Sequence, residues 1–340
     1  MFFQISLIQK FLTLLAKMNN AEKLRREMNL RGLRGKPFVF LIDFMMENPL
    51  IFSAGTSPKK LQWQTPAKSF VPNSGKKPKL EYWNTFPVAF SEYKKGFDLV
   101  QQHVHKGDTY LLNFTQPTRV ETNLSLEEIF QISKAPYKIL LPNKFVCFSP
   151  EPFVKIENGQ ISSFPMKGTI SADSENAEEL ILSDPKELAE HNTIVDLIRN
   201  DLSLVAENVQ VEKFRYLERI RTNTKDLWQV SSKITGNLPE NYASKIGDIL
   251  FTMLPAGSIS GAPKKKTVEI IRAAENYDRG YYTGVFGVFD GKNLDSCVLI
   301  RFIEIQNGRM VYKSGGGITF MSKAETEYEE MLKKVYVPVG

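Results

Sequence analysis

Three turn dipeptides, Asn158-Gly159, Asp290-Gly291 and Asn307-Gly308, most narrow what this chain can fold into. Asn-Gly is the favoured centre of a two-residue hairpin, and tight hairpins join only antiparallel neighbours. Phe153, Val154 and Ile156 lead into the first turn, and Ile161 and Phe164 return, within a hairpin over 145–166. Residues 281–318 read as a meander of three strands around the other two turns. Two short strands fall within 37–54, and another, 110–120, follows Gly107-Asp108. Helical spacing appears at 91–105, 184–201, 212–222, 243–252, 263–276 and 324–335, and Ser125-Leu-Glu-Glu128 forms a capping box before a short helix. Strands and helices come in groups and do not alternate strictly. That predicts an α+β fold with antiparallel sheets, not a doubly wound one.

The 340 residues are 42% apolar, enough for a large core. Residues 56–80, with SPKK and SGKKPK, read as a solvated linker or long loop. A net charge of +6 suits an anionic small ligand as well as nucleic acid. No dense Lys/Arg block with interleaved aromatics is present, so no nucleic-acid partner is expected. Cys147 and Cys297 lie in apolar runs, as small buried hydrophobes of a reducing compartment do. His103, His105 and His191 have no zinc spacing. The opening MFFQISLIQKFLTLLAK is broken by Gln4, Gln9 and Lys10 and lacks a basic leader and a cleavage site. Residues 1–17 are therefore read as an amphipathic extension, and Met18 is a second candidate start. No run reaches the roughly 20 apolar residues of a membrane span, so no membrane partner is expected and the cytoplasm is the default location.

Four segments break local rules. In Pro165-Met166-Lys167-Gly168-Thr169, a lysine sits between an apolar strand and a Gly-Thr pair. It is either a solvated loop lysine or, in a closed pocket, an amine neutral enough to act as a nucleophile. At Asp184-Pro185 a helix starts, and Glu187 is accounted for as a capping residue, whereas Glu190 on the same face is not. Farther along, Arg199-Asn200-Asp201 reads as a buried structural network. Arg301 stands in CVLIRFIEI, a strand apolar on both faces. Its charge needs a core carboxylate or the carboxylate of a substrate. Finally, Gly315-Gly316-Gly317 is either a flexible turn or a place where backbone N–H groups meet an anion. Glu327, Glu330 and Lys334 follow on one helical face. Two Glu-x-x-Glu pairs without His or Cys suit Mg²⁺, unless these faces are merely solvated.

Eight segments, SPEPF (149–153), PMKGT (165–169), EHNTIVDLIRNDL (190–202), PAGSISGAPKKK (255–266), YYTGVFG (281–287), IRF (300–302), GGGIT (315–319) and ETEYEEMLKKV (325–335), resemble in order and spacing the chorismate-utilising enzymes. The likeness spans about 82–337. It implies two antiparallel sheets packed face to face with helices outside, and a single chorismate-binding catalytic domain over 18–340. By resemblance, Glu190 and Glu330 would contact Mg²⁺, with Glu187 and Glu327 near it through water. Arg301, Tyr282, Lys334 and the amides of Gly315, Gly316 and Gly317 would hold substrate carboxylates. Gly168, Thr169 and Ser258 would line the pocket, and Glu151 would act as general acid.

Lys167 narrows the resemblance, because anthranilate synthases usually carry alanine there and aminodeoxychorismate synthases lysine. The implied activity is replacement of the chorismate 4-hydroxyl by an amino group. Ammonia would come from a separate glutamine amidotransferase subunit, since no amidotransferase sequence is visible here. Anthranilate or isochorismate synthesis on the same scaffold, and a non-catalytic anion-binding protein, are the alternatives. One departure stands out. The family's His-x-Val-Ser segment reads Gln229-Val230-Ser231-Ser232 here, and that histidine is linked to a pyruvate elimination that this reaction omits.

Overall fold

All five residues of Phe38–Ile42 are buried, which a strand achieves only between two apolar layers. Phe38, Phe40 and Ile42 face a layer built with helices, while Val39 and Leu41 face another. The computed structural model describes residues 18–339 apart from 58, 72–77, 221–225 and 262. The extension expected at 1–17 lies outside those residues.

In chain order the strands are β1 (Phe38–Ile42), β2 (Leu50–Ser53), β3 (Gln62–Gln64), β4 (Ser69–Phe70), β5 (Trp83–Pro87), β6 (Leu112–Thr122), β7 (Tyr137–Leu141), β8 (Phe145–Ser149), β9 (Pro152–Glu157), β10 (Gln160–Ser163), β11 (Met166–Ser171), β12 (Glu207–Ile220), β13 (Leu227–Asn237), β14 (Val285–Phe289), β15 (Leu294–Val298), β16 (Phe302–Gln306) and β17 (Arg309–Ile318). The α-helices are α1 (Asn20–Leu33), α2 (Phe90–His105), α3 (Leu126–Ile132), α4 (Ala177–Ser183), α5 (Pro185–Ser203), α6 (Ile246–Met253), α7 (Gly257–Ser260), α8 (Lys264–Glu275) and α9 (Ala324–Lys333). One sheet runs β11-β13-β10-β9-β15-β14-β1-β2, with β12 also paired to β13. The other runs β4-β3-β7-β8-β16-β17-β6-β5. The paired strands are antiparallel, as the turn chemistry predicts.

Alternation along facing strands shows how the sheets meet. Val39, Leu41 and Phe286 of the first share a core with Ile139, Phe145 and Cys147 of the second. Cys297 joins the same layer, and burial pushes both free thiols up, so they stay protonated. Helices α1, α2, α5, α6, α8 and α9 pack over the other face of the first sheet and over β6. Helix α3 covers the outside of the second sheet, its Ile129 and Phe130 sharing a core with Phe148 of β8.

Four expectations need correction. Of the helix expected at 212–222, residues 212–220 are not helical but belong to β12, paired along β13, and 221–222 lie outside the described residues. Val211, Phe214, Leu217 and Ile220 recur every third residue, which imitates a helix. The ladder slips at three places, and Arg215 has φ +47° there, so bulges hide the period of two. The expected meander is two hairpins in different sheets, β14–β15 and β16–β17. Arg301 therefore sits at the crossover between sheets, at φ +56°, and not in mid-strand. Its surroundings are apolar because Leu299 enters the core between the sheets. Lastly, the lysine-rich 56–80 stretch is not all linker: Leu61 and Trp63 are buried, with the Trp63 ring 6.2 Å from Phe286.

Candidate active site

Helix α5 starts as the sequence predicts, with Asp184 Oδ1 accepting the Glu187 N–H at 3.0 Å. Glu187 and Glu190 follow one turn apart and line a cavity beside β11 and β13. Strand β11 is bent to receive them. Its ladder slips between Lys167 and Thr169, and Gly168 sits there at φ +76°. A Cβ on Gly168 would come within 3.0 Å of Glu187 Oε2, so both backbone and space demand glycine. The backbone of Lys167 pairs with Val230 and that of Thr169 with Gln229. The side chains of Lys167 and Thr169 lie outside the described ones.

A second wall is made by the end of β17. Gly315, Gly316 and Gly317 pair with Thr115, Phe114 and Asn113 of β6. A Cβ on Gly316 would meet oxygens of both Glu327 and Glu330 at 3.2 Å, so the bare backbone lets two carboxylates from α9 lie against the strand. Glu327 is buried, and its Oε1 accepts the Ser322 hydroxyl at 2.7 Å. Lys334 Nζ reaches Glu330 Oε1 at 2.6 Å and donates to Gly315 O at 2.8 Å. The amine thus ties helix end, carboxylate and glycine strand together. Beneath, burial and then the charges of Glu327 and Glu330 push the Tyr93 phenol up, so it stays neutral.

The crossover supplies the third wall. Arg301 lines the cavity, its guanidinium 5.7 Å from the Tyr336 ring centre. Its Nε is buried without a hydrogen-bond partner among the described residues. Tyr282 also lines the cavity, and burial pushes its phenol up. Across from them the Ser258 hydroxyl donates to Glu151 Oε1 at 2.8 Å, so the carboxyl read as a general acid is held by a second site residue.

These walls enclose one cavity of about 550 Å³, within the range of small-molecule sites. It brings together Glu151, Gly168, Glu187, Glu190, Ser258, Tyr282, Arg301, Gly315, Gly316, Gly317, Glu327, Glu330 and Lys334. Gln229 lines it as well. Sequence reading missed Asn113, an ordinary strand residue until β6 is seen beside β17, and Tyr336. It also misjudged Arg199-Asn200-Asp201. Arg199 is exposed and pairs with Asp196, while only Asp201 of the two acidic partners is buried, 2.7 Å from Lys264.

The donor set would suit a hard cation. Among the described residues, no three acidic, His or Cys side chains converge closely enough to chelate an ion unaided. Two separated carboxylate pairs fit an ion such as Mg²⁺, which takes one or two protein carboxylates and completes its shell with water and substrate oxygens.

A family model described as chorismate binding enzyme matches residues 54–339, and the chain belongs to that family. An uncharacterized PabA-like protein of Pasteurella multocida is 49% identical, over 93% of this chain and 98% of its own length. Anthranilate synthase component 1 of Acetivibrio thermocellus is 33% identical, over 80% of this chain and 57% of its own. Aminodeoxychorismate synthase component 1 of Salmonella typhimurium is also 33% identical, over 72% and 56%. The fold matches a menaquinone-specific isochorismate synthase of Escherichia coli with TM-score 0.70 at 15% identity, over 92% of this chain and 80% of that one. No helix among the described residues is long and apolar enough to cross a membrane.

Proposed function

We propose that this chain is an aminodeoxychorismate synthase component I, which converts chorismate and ammonia to 4-amino-4-deoxychorismate with Mg²⁺, ammonia being delivered by a separate glutamine amidotransferase subunit. The observation that carries the choice is Lys167 on β11, between Met166 and Gly168 of the cavity wall.

Chorismate is a dianion that must lose hydroxide, a poor leaving group. Glu187, Glu190, Glu327 and Glu330 would hold Mg²⁺, which when bound draws electron density from the ring through its carboxylate. Arg301 meets the other carboxylate with two parallel N–H donors. The neutral Tyr282 phenol donates a hydrogen bond without adding charge. Glu151, oriented by Ser258, gives its proton to the departing 4-hydroxyl, which leaves as water. The Lys167 amine bonds to the ring as that bond breaks. Ammonia then bonds at C4, displaces the lysine and returns a proton to Glu151. The cavity walls exclude bulk water, which would otherwise compete as the nucleophile. The enolpyruvyl group stays attached, since nothing in these steps breaks its ether bond.

The test is product identity. Purified protein is incubated with chorismate, Mg²⁺ and ammonium, with and without the lyase that aromatises the 4-amino product. The proposal expects the 4-amino isomer alone, and p-aminobenzoate when the lyase is added. Anthranilate, or an isomer hydroxylated by water, would assign the chain to another branch of the family.

A further inference from the structure

The third slip of the β12–β13 ladder is a bulge with a definite content. Lys213 pairs with Lys233 and Tyr216 with Ser231, so Phe214 and Arg215 together oppose the single residue Ser232. Ser232 is fully buried, and its hydroxyl oxygen accepts the Arg215 N–H at 2.9 Å. The same hydroxyl lies 2.6 Å from Nε2 of His191, which is buried and follows Glu190 directly on α5. The Phe214 ring and the imidazole meet edge to face, 5.8 Å between centres. The Ser232 N–H donates to Pro165 O at 3.0 Å, at the entry to β11.

Arg215 completes the arrangement. Its backbone is held at φ +47°, a left-handed conformation that a residue with a Cβ adopts only at a cost. Its guanidinium donates to Leu182 O at 2.7 Å and to Ile181 O at 3.1 Å, in the last turn of α4, where a helix leaves its carbonyls unpaired. Ile181 in turn packs beside Gly168, its Cδ1 3.5 Å from where a Cβ would stand. Strain at one residue thus brings an N–H to Ser232 and a guanidinium to α4. Ser232 becomes the meeting point of three segments distant in sequence: the helix that carries Glu187 and Glu190, the strand that carries Lys167, and the bulge that braces α4 against Gly168.

We propose that Ser232 and His191 are positioning residues that set the distance between the carboxylates of α5 and the lysine of β11, and so between the cation and the nucleophile; the inference rests on the reading of the site given above. On β13, Ser232 is two residues from Val230, the ladder partner of Lys167. On α5, His191 is the neighbour of Glu190. A shift of α5 against β13 at this bond therefore moves Glu190 relative to Lys167. A buried, short hydrogen bond resists that shift more than apolar packing does, because losing it leaves buried polar groups unpaired. Mg²⁺ demands near-octahedral geometry from few protein carboxylates, so a displaced Glu190 shows first in cation affinity. The substrate carboxylate assigned to Arg301 is met on another wall, so its binding does not depend on this bond.

The test measures Mg²⁺ binding to the whole chain by calorimetry, with chorismate present and ammonium omitted, alongside urea unfolding and steady-state kinetics. Ser232→Ala and His191→Leu remove the bond from either side, whereas His191→Gln keeps an N–H in place of Nε2. In the first two, the Kd for Mg²⁺ is expected to rise and kcat to fall by about tenfold each, the scale for residues that orient metal-binding carboxylates, with KM for chorismate at its parental value. His191→Gln is expected to restore both toward the parent. The double variant Ser232→Ala/His191→Leu is expected to be no worse than either single one, since both act through one bond. Parental Mg²⁺ affinity in folded Ser232→Ala, additive losses in the double variant, or an equal rise in KM for chorismate would each overturn the proposal. If Ser232→Ala does not fold, His191→Gln and His191→Leu decide alone, and equal Mg²⁺ affinities in those two overturn it. The expected pattern in a protein that makes another product leaves the positioning in place and overturns only the aminating reading. A parent that binds no Mg²⁺ overturns the positioning together with the cation assignment.

Discussion

Arg279 and Arg301 are both withdrawn from bulk water, and the protein treats them in opposite ways. The side chains of Arg279 and Glu275 are 2% and 1% exposed. Arg279 Nε donates to Glu275 at 2.8 Å, one terminal nitrogen donates to Thr283 Oγ1 at 3.1 Å, and the other to Asn113 O at 2.6 Å. Glu275 in turn accepts the N–H and hydroxyl of Thr115 at 2.8 and 2.7 Å. Arg301 faces the cavity with a buried Nε that has no hydrogen-bond partner among the described residues. A buried cation whose three nitrogens each donate to the protein holds the fold. One that keeps a donor unused beside a cavity is available to a ligand. The two are linked, since Arg279 fixes Asn113 and Thr283, neighbours of the same cavity.

Removing one partner of the satisfied pair has the largest expected effect. Arg279→Ala or Glu275→Ala should lower stability by about 3–5 kcal/mol, since each leaves an uncompensated buried charge. Urea unfolding checks this, and a variant as stable as the parent would dissolve the contrast. Arg301→Ala should instead keep parental unfolding and weaken chorismate binding by about 2–5 kcal/mol, the range for one lost partner of a buried charge pair. Calorimetric titration reads the affinity, and a protein that melts early and is not rescued by chorismate would make Arg301 a core residue like Arg279.

Lys138 sharpens the comparison as a third case, a buried cation with too few partners. It donates to Ser133 O at 2.9 Å and lies 4.7 Å from the Phe130 ring centre. Burial pushes its pKa down to about 8 from 10.5. The folded value is below the unfolded one, so between these two pH values the unfolded chain binds the additional proton and stability rises with pH. Below about 8 both states carry the proton and the full cost of burying the charge remains. Lys138→Met should stabilise the protein by about 2 kcal/mol at pH 7 and flatten the rise toward pH 10. Unfolding curves at both pH values decide it, and an unchanged slope would show that Lys138 is not its source.

What could be read from the sequence follows the range of the interactions. Asn158-Gly159 and Asn307-Gly308 fix their hairpins locally, so the antiparallel fold was legible. Glu187 with Glu190, and Glu327 with Glu330, were legible because each pair lies on one helix turn. Strand β12 was not, because bulges disguise its period and only β13 reveals it. Glu275 and Arg279, four residues apart, look like an ordinary exposed helix pair until β6 is brought against them. Asp201 needed Lys264, and Arg301 needed a crossover that a run of apolar residues conceals.

The central claim is that Lys167 directs nitrogen to C4, and Lys167→Ala measures it most directly. The variant and the parent are given chorismate, Mg²⁺ and ammonium, products are resolved by chromatography, and protein trapped during turnover is weighed by mass spectrometry. The account predicts a substrate-derived adduct on Lys167 in the parent. In a folded variant it predicts a strong loss of 4-amino product, with any remaining amination shifted to the 2-amino isomer. No adduct, together with parental rate and parental product in Lys167→Ala, would contradict it.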